Sequence, residues 1–141
     1  LFNHESQFRS EKFVTQKIIS GAIKCMKNKS HKINLGNIDI ARDWGWAQEY
    51  MEGVQLINNS KIIKDYIICT GTLTTLKDFI ELTFSKLNLN WQDHIESNNK
   101  LKRDSDILIS YGNPEELKND LKWAPKIKVE EIIDKLIEHK I

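Results

Sequence analysis

Residues 1–9 read Leu1-Phe2-Asn3-His4-Glu5-Ser6-Gln7-Phe8-Arg9, so two apolar residues run directly into four adjacent polar side chains. The pattern predicts a short strand that stops before Asn3 and leaves these polar side chains at its end. In open α/β sheets, ligands collect where strands end, because backbone groups and polar side chains face a crevice there. A plain polar loop is the alternative, and composition alone favours it. A second signal is needed to decide between a ligand site and a loop.

Composition excludes several classes of protein. The chain has 141 residues, enough for one domain with a core of its own. Its 21 Lys and Arg against 20 Asp and Glu give a net charge of +1, which argues against nucleic-acid or anionic-membrane partners. No apolar stretch approaches the roughly 20 residues that span a bilayer, so we expect a soluble domain. Cys25 and Cys69 fall in a predicted helix and a predicted buried strand, which favours free thiols in a cytoplasmic protein. The start at Leu1, without Met or a signal-like run, predicts a piece of a longer protein.

Apolar residues at helical spacing predict amphipathic helices over residues 12–28, from Trp46 to Ile57, from a Thr75 cap to Leu87, and from Val129 to Ile137. Asn113, Pro114 and two following acids predict a further helix that runs to Leu121. Residues 32–36 and the apolar run 65–70 predict strands, the second covered on both faces. The charged stretch 88–106 predicts a solvated loop. The whole pattern indicates an α/β domain of helices with short strands.

Residues 37–46 form a second unusual motif, Asn37-Ile38-Asp39-Ile40-Ala41-Arg42-Asp43-Trp44-Gly45-Trp46. Arg42 can present a planar guanidinium group to phosphate oxygens, with Asp43 holding that group or capping the next helix. Alternatively, Arg42 and Asp43 form an ordinary salt bridge and the tryptophans fill the core. Lys17, in the first turns of the first helix, either reaches over the opening cluster or is a surface lysine.

These segments together resemble the GDP-mannose 4,6-dehydratases, extended members of the short-chain dehydrogenase/reductase superfamily. Residues 1–9 are similar to the family's Leu-Phe-Asn-His-Glu-Ser-Pro-Arg-Arg, with Phe8 in place of the first arginine. Residues 36–45 carry the family signature Gly-Asn-(Leu/Ile)-Asp-x-x-Arg-Asp-Trp-Gly unbroken. The family's Arg-Pro-(Thr/Ala)-Glu is altered here to Arg103-Asp104-Ser105-Asp106, which places an added carboxylate beside a proposed phosphate ligand. That departure weakens the assignment of the substrate.

The resemblance implies that residues 1–141 are the C-terminal, substrate-binding part of such an enzyme. The N-terminal dinucleotide-binding (Rossmann) half, with the Tyr-x-x-x-Lys pair, would lie outside this chain, so the fragment alone should be inactive and carry no catalytic residue. By the same resemblance, Asn3, Lys17, Arg42, Arg103 and Asp106 bind the nucleotide sugar, and His4 and Arg9 approach the cofactor. The histidines lack Cys or His neighbours at ligand spacing, so no metal site is expected.

The implied reaction converts GDP-mannose to GDP-4-dehydro-6-deoxy-mannose with NADP, as in the biosynthesis of GDP-fucose and other deoxyhexoses. The full-length enzyme is expected to be a cytoplasmic homo-oligomer, a dimer or a tetramer. Two alternatives remain open. One is another nucleotide-sugar dehydratase or epimerase of the same superfamily, and the other is a truncated, noncatalytic interaction module.

Overall fold

A computed structural model describes residues 1–98, 101 and 106–141, and within them the chain forms helices and short strands. The helices are α1 (Val14–Lys27), α2 (Ala47–Asn59), α3 (Leu76–Lys86), α4 (Glu115–Leu121) and α5 (Val129–Glu138). The strands are β1 (Asn3–Glu5), β2 (Ile33–Leu35), β3 (Ala41–Arg42), β4 (Trp44–Trp46), β5 (Thr74–Thr75), β6 (Ile95–Ser97) and β7 (Ile109–Ser110). This mixture confirms the predicted α/β class.

The helices begin close to where their capping residues predict. The Thr75 side chain accepts a hydrogen bond from the Asp78 amide at 3.0 Å and caps α3. The Asn113 side chain accepts one from the Glu115 amide at 3.0 Å at the start of α4. Trp46, predicted as the first residue of a helix, instead ends β4, and α2 begins one residue later. Local capping side chains therefore fix the starts of α3 and α4, whereas the N-cap residues of α1, α2 and α5 make no such bond.

The main core lies where α1, α3 and α5 pack against one another. Its fully buried side chains come from the apolar stripes of these helices and include Ile18, Ile19, Phe79, Ile80, Phe84, Ile132 and Ile133. A smaller cluster of Tyr50, Ile68, Leu117 and Trp123 joins α2 to α4. No helix among the described residues is long and apolar enough to span a bilayer.

The strands pair in three small sheets within the described residues. β1 and β4 are parallel, β2 and β6 are parallel, and β3 lies between antiparallel β5 and parallel β7. The prediction that the first strand stops before Asn3 is wrong, because Asn3–Glu5 is itself the strand. The backbone of β4, which is distant in sequence, supplies the hydrogen-bonding partners that keep these polar residues extended.

Two further predictions fail because they depend on distant pairing. The run 65–70 is not a strand: the Ile68 carbonyl accepts one hydrogen bond from the Phe2 amide at 2.9 Å, and Ile67 is 49% exposed. One such bond does not make a ladder. The stretch 88–106, predicted as a solvated loop, contains a short 3₁₀ turn at Trp91–Asp93 and strand β6. Residues 99–100 and 102–105 of that stretch lie outside the described residues.

Glu49 fastens the chain between α4 and α5 to helix α2. This carboxylate is 8% exposed and accepts hydrogen bonds from the backbone amides of Lys126, at 2.8 Å, and Ile127, at 3.1 Å. The Trp123 indole donates to the Glu49 carbonyl at 3.2 Å. These bonds hold the segment before α5 in place.

Glu49→Ala should lower the free energy of unfolding by about 2 kcal/mol, because it leaves the Lys126 and Ile127 amides without their acceptor. Denaturant titration measures the change. Glu52→Ala, which removes an exposed carboxylate from the same helix, should stay within about 0.5 kcal/mol of the unmodified protein. Equal losses in the two variants would contradict the role of Glu49.

Candidate functional site

The ladder between β1 and β4 brings the two sequence motifs together. Asn3 lies opposite Trp44 and His4 lies opposite Gly45 in this parallel pair. Alternation along β1 places Asn3 and Glu5 on one face and His4 on the other. The Asn3 side chain is partly exposed and makes no hydrogen bond to any described residue. The start of β1 thus offers a free amide group directly beside the Arg-Asp-Trp-Gly motif.

His4 is held from two sides. Its Nδ1 lies 2.9 Å from the Phe2 carbonyl oxygen, and its ring centroid lies 5.4 Å from that of Tyr50. A carbonyl oxygen only accepts, so Nδ1 carries a proton and Nε2 is the acceptor of the neutral ring. Tyr50, predicted at the edge of the core, is completely buried, and a Cβ atom at Gly45 would clash with its ring.

Asp43 has a role that its sequence position does not predict. This carboxylate is completely buried and accepts hydrogen bonds from the Thr70 amide at 2.9 Å, the Thr70 hydroxyl at 2.7 Å and the Gly71 amide at 2.8 Å. The Tyr50 hydroxyl donates a longer bond at 3.4 Å, and burial is the main reason that the pKa of Tyr50 is raised. Asp43 neither caps α2 nor pairs with Arg42, so those predictions are wrong. Two of its partners, Thr70 and Gly71, lie more than twenty-five residues ahead.

Lys17 lies at one end of segment 98–108, the connection between β6 and β7. Its ammonium group donates to the Asn34 carbonyl at 2.5 Å. The carbonyl of Leu35, the next residue along β2, accepts a hydrogen bond from the Asn98 amide at 2.8 Å. The start of segment 98–108 is therefore fixed beside the residue that Lys17 contacts.

Arg42 lies at the other end of that segment. Its Nη1 donates to the Ala41 carbonyl at 2.8 Å and to the Leu108 carbonyl at 3.3 Å. The Ala41 amide also donates to Leu108, at 2.7 Å. Asp106 is partly exposed and comes two residues before Leu108, on the approach to β7. These contacts leave other N–H groups of Arg42 available for an oxygen ligand.

Lys17 and Arg42 thus mark the two anchored ends of the segment that carries Arg103. Arg103 and Asp104 lie outside the described residues, and the role given to Arg103 stays a prediction. The described ends of segment 98–108 are bonded to β2 at Asn98 and to β3 at Leu108.

Arg9 is folded back onto its own loop. Its Nη1 donates to the His4 carbonyl at 2.5 Å, its Nε lies 3.6 Å from Glu5 Oε2, and its guanidinium carbon lies 3.8 Å from the centre of the Phe13 ring. Burial raises the pKa of Glu5 to about 7, and the positive charge of Arg9 offsets part of that effect. Glu5 was not among the predicted site residues; the alternation of β1, which places it on the same face as Asn3, is the signal that could have found it.

The polar groups of this region fit an anionic, phosphorylated ligand. The Arg9 Nε is a buried donor that has no hydrogen-bond partner within the described residues, and His4 Nε2 is an acceptor suited to a hydroxyl of such a ligand rather than to its phosphate. Guanidinium donors match phosphate oxygens. No cluster of three or more His, Cys, Asp or Glu suited to a metal ion occurs in the part of the chain that the structure describes.

A separate cleft of about 530 Å³ lies between the start of α3 and the segment before α5. Two positive side chains of its lining, Lys126 and Lys128, are matched by two negative ones, Asp78 and Glu130. None of the predicted site residues lines this cleft. A diphosphate binds best where positive charge is in excess. The region around the paired strands β1 and β4 therefore suits a diphosphate better than the cleft does.

Comparison with known proteins decides the family. The family model described as GDP-mannose 4,6 dehydratase matches residues 1–136. The chain belongs to the GDP-mannose 4,6-dehydratase family. Among curated members, it is 34% identical over 138 residues to GDP-mannose 4,6 dehydratase 1 of Arabidopsis thaliana, covering 98% of this chain and 38% of that protein. It is 27% identical over 154 residues to the human GDP-mannose 4,6 dehydratase, covering 97% of this chain and 41% of that protein. The chain therefore spans about two fifths of these relatives.

Solved structures agree on the fold of this family member. RMD from Pseudomonas aeruginosa complexed with NADPH superposes with a TM-score of 0.81 at 19% identity, over 97% of this chain and 45% of that one. The dTDP-glucose 4,6-dehydratase of Bacillus anthracis, in complex with NAD, gives 0.84 at 16% identity, over 99% and 42%. These likenesses confirm the predicted α/β fold of the chain.

Proposed function

We propose that the full-length protein is a GDP-mannose 4,6-dehydratase and that this chain supplies its nucleotide-sugar site. The reaction removes one water from the hexose of GDP-mannose and leaves GDP-4-dehydro-6-deoxy-mannose. A bound nicotinamide supplies the hydride acceptor at C4 and the hydride donor at C6. The residues of this chain bind and orient the substrate, and the acid and base come from the preceding part of the enzyme.

The observation that carries this proposal is the parallel ladder of β1 with β4. It places Asn3 and His4 of the opening motif against the Trp44 and Gly45 of the family signature. Ligand sites in α/β proteins usually lie at the carboxyl ends of parallel strands, and the opening motif continues past the carboxyl end of β1 at Glu5. The signature residue Arg42 immediately precedes this junction and contacts the segment that carries Arg103.

We assign the diphosphate to Arg42 and Arg103, with Lys17 as a third positive charge and Asp106 close to the sugar nucleotide. Asn3 offers its unpaired amide to the sugar. His4 and Arg9 approach the cofactor, which we assign as NADP, since Arg9 provides a cation for its additional phosphate. We further propose a cytoplasmic homo-oligomer, a dimer or a tetramer, as the working form.

A conversion assay tests the function. Full-length protein is incubated separately with GDP-mannose, dTDP-glucose and UDP-glucose, each with NADP or with NAD, and the products are analysed by mass spectrometry. We expect GDP-mannose to lose one water, with NADP as the better cofactor, and the other sugars to remain unchanged.

Other outcomes would identify the alternatives. Conversion of dTDP-glucose or UDP-glucose but not GDP-mannose would indicate another nucleotide-sugar enzyme of the superfamily. Binding of GDP-mannose without conversion by the full-length protein would indicate a noncatalytic interaction module. Either result would overturn the proposal.

A further inference from the structure

A cluster of buried polar groups lies beneath the loop that joins β1 to α1. We call it the Glu5 cluster, and it consists of Glu5, Arg9, Thr15 and Gln16. Glu5 and Thr15 are 1% exposed and Gln16 is completely buried. Glu5 Oε2, Arg9 Nε, Thr15 Oγ1 and Gln16 Oε1 are buried atoms without a hydrogen-bond partner among the described residues. Buried polar groups in folded proteins are nearly always bonded, so this concentration needs an explanation.

The cluster controls where the Arg9 guanidinium lies. Arg9 Nε is 3.6 Å from Glu5 Oε2, beyond hydrogen-bond distance, so the two are held mainly by charge. The bond to the His4 carbonyl and the contact with the Phe13 ring complete the folded-back position. In that position Arg9 contacts its own loop and strand β1.

The protonation state of Glu5 changes which of these groups can bond. The ionised carboxylate only accepts, as Gln16 Oε1 does, so the two cannot bond each other. A proton taken from solvent onto Glu5 Oε2 turns it into a donor, and the Thr15 hydroxyl, which can donate to the ionised carboxylate, can accept from the protonated one. Arg9 then loses the attraction of the Glu5 charge, and its unpartnered Nε can donate to a phosphate oxygen instead.

Glu5 can take up that proton near neutral pH. Its pKa is raised to about 7 by burial, against the partial opposition of Arg9, so it is mostly neutral below this pH and mostly ionised above it. The group that acts on it from α1 is Thr15, and its partner on β4 is Trp46, both uncharged. Within the described residues, Arg9 is the charged group that acts on Glu5.

We propose that Glu5 is a positioning residue for Arg9: the ionised carboxylate holds the guanidinium folded over Phe13, and protonation releases it to an anionic phosphorylated ligand. Only the identity of that ligand, NADP, rests on the proposed function. Release of Arg9 also opens loop 6–13, whose amides then exchange with solvent.

Hydrogen exchange of peptides covering residues 6–13 in the unliganded full-length protein tests the release directly. After correction for intrinsic exchange, the released population should rise about tenfold from pH 8 to pH 6, because the neutral fraction of a group with a pKa of about 7 rises by that factor. Glu5→Gln should exchange fast at both pH values. His4 and His139 remain in both proteins, so the comparison isolates Glu5.

Two further variants provide controls. Glu11→Gln removes the same charge from the same loop, and because a hydrogen bond from Ser20 lowers the Glu11 pKa, this variant should keep the pH dependence. Arg9→Gln should lose it, since the carboxylate then has no guanidinium to hold. Exchange in the unmodified protein that does not change between pH 8 and pH 6 would overturn the proposal. A pH dependence that survives in Glu5→Gln or in Arg9→Gln would overturn it too.

Calorimetric titration with NADP tests the functional consequence. The dissociation constant for NADP should increase about tenfold from pH 6 to pH 8, because only the released fraction binds. This increase is counted beyond any change seen in Glu5→Gln. Subtracting the change seen in Glu5→Gln removes the effect of protonation of the NADP phosphate itself. Equal pH dependence in the two proteins would overturn the release mechanism. Absence of NADP binding at any pH would instead contradict the proposed cofactor, and the exchange experiment would still decide the role of Glu5.

Discussion

Asp43→Ala should lower the free energy of unfolding by about 4 kcal/mol, because it removes the acceptor of four hydrogen bonds. The Asp43 carboxylate accepts from the Thr70 amide and hydroxyl, the Gly71 amide and the Tyr50 hydroxyl. The carboxylate itself is completely buried, whereas Thr70 and Gly71 have access to water. Because water can partly replace the lost acceptor there, the expected loss of unfolding free energy is smaller than the sum of separate charged hydrogen bonds.

Denaturant titration of Asp43→Ala beside two matched variants tests this prediction. Asp43→Asn keeps the shape but places an amide group against one of the donors, so we expect about half of the loss. Asp39→Ala removes an exposed carboxylate from the same stretch and should change stability by no more than about 0.5 kcal/mol. If Asp43→Ala behaved like Asp39→Ala, Asp43 would not be the centre of this network.

Arg103→Ala and Arg42→Ala should each weaken GDP-mannose binding by roughly tenfold to a hundredfold in the full-length protein. A charge-assisted hydrogen bond contributes about 1.5 to 3 kcal/mol, which corresponds to that factor. A planar guanidinium group can bind two phosphate oxygens at once, so Arg103→Lys should recover only part of the affinity. Lys17→Ala should have a smaller effect, since its ammonium group also bonds the Asn34 carbonyl.

Calorimetry separates a local clamp from a general effect of charge. Lys29→Ala removes an exposed positive charge beyond the far end of α1 and should leave GDP-mannose affinity unchanged. NADP affinity should remain constant in Arg103→Ala and Arg42→Ala, because both arginines are assigned to the sugar nucleotide. Unchanged GDP-mannose affinity in Arg103→Ala would remove it from the site and return residues 100–106 to a solvated loop.

The helices could be predicted from the sequence because their signals are local. The stripe that includes Ile18, Ala22 and Cys25 recurs every three or four residues and is buried along α1. Thr75 caps α3 through a residue only three positions ahead. Neither feature depends on distant parts of the chain.

The strands were harder to predict, because they are two or three residues long and depend on distant partners. Ala41 and Arg42 become β3 through pairing with Ile109 and Ser110. The same limit applies to the site. Sequence singled out Arg42 and Asn3, but the bonds of Asp43 to Thr70 and the burial of Glu5 exist only once these segments meet.

A crystal structure of the full-length protein with bound GDP-mannose is the most direct test of the site. We expect the diphosphate to lie between the guanidinium groups of Arg42 and Arg103, with Lys17 nearby and the sugar against Asn3. A diphosphate found elsewhere, for example in the cleft lined by Lys126 and Lys128, with no contact to Arg42 or Arg103, would contradict the assignment.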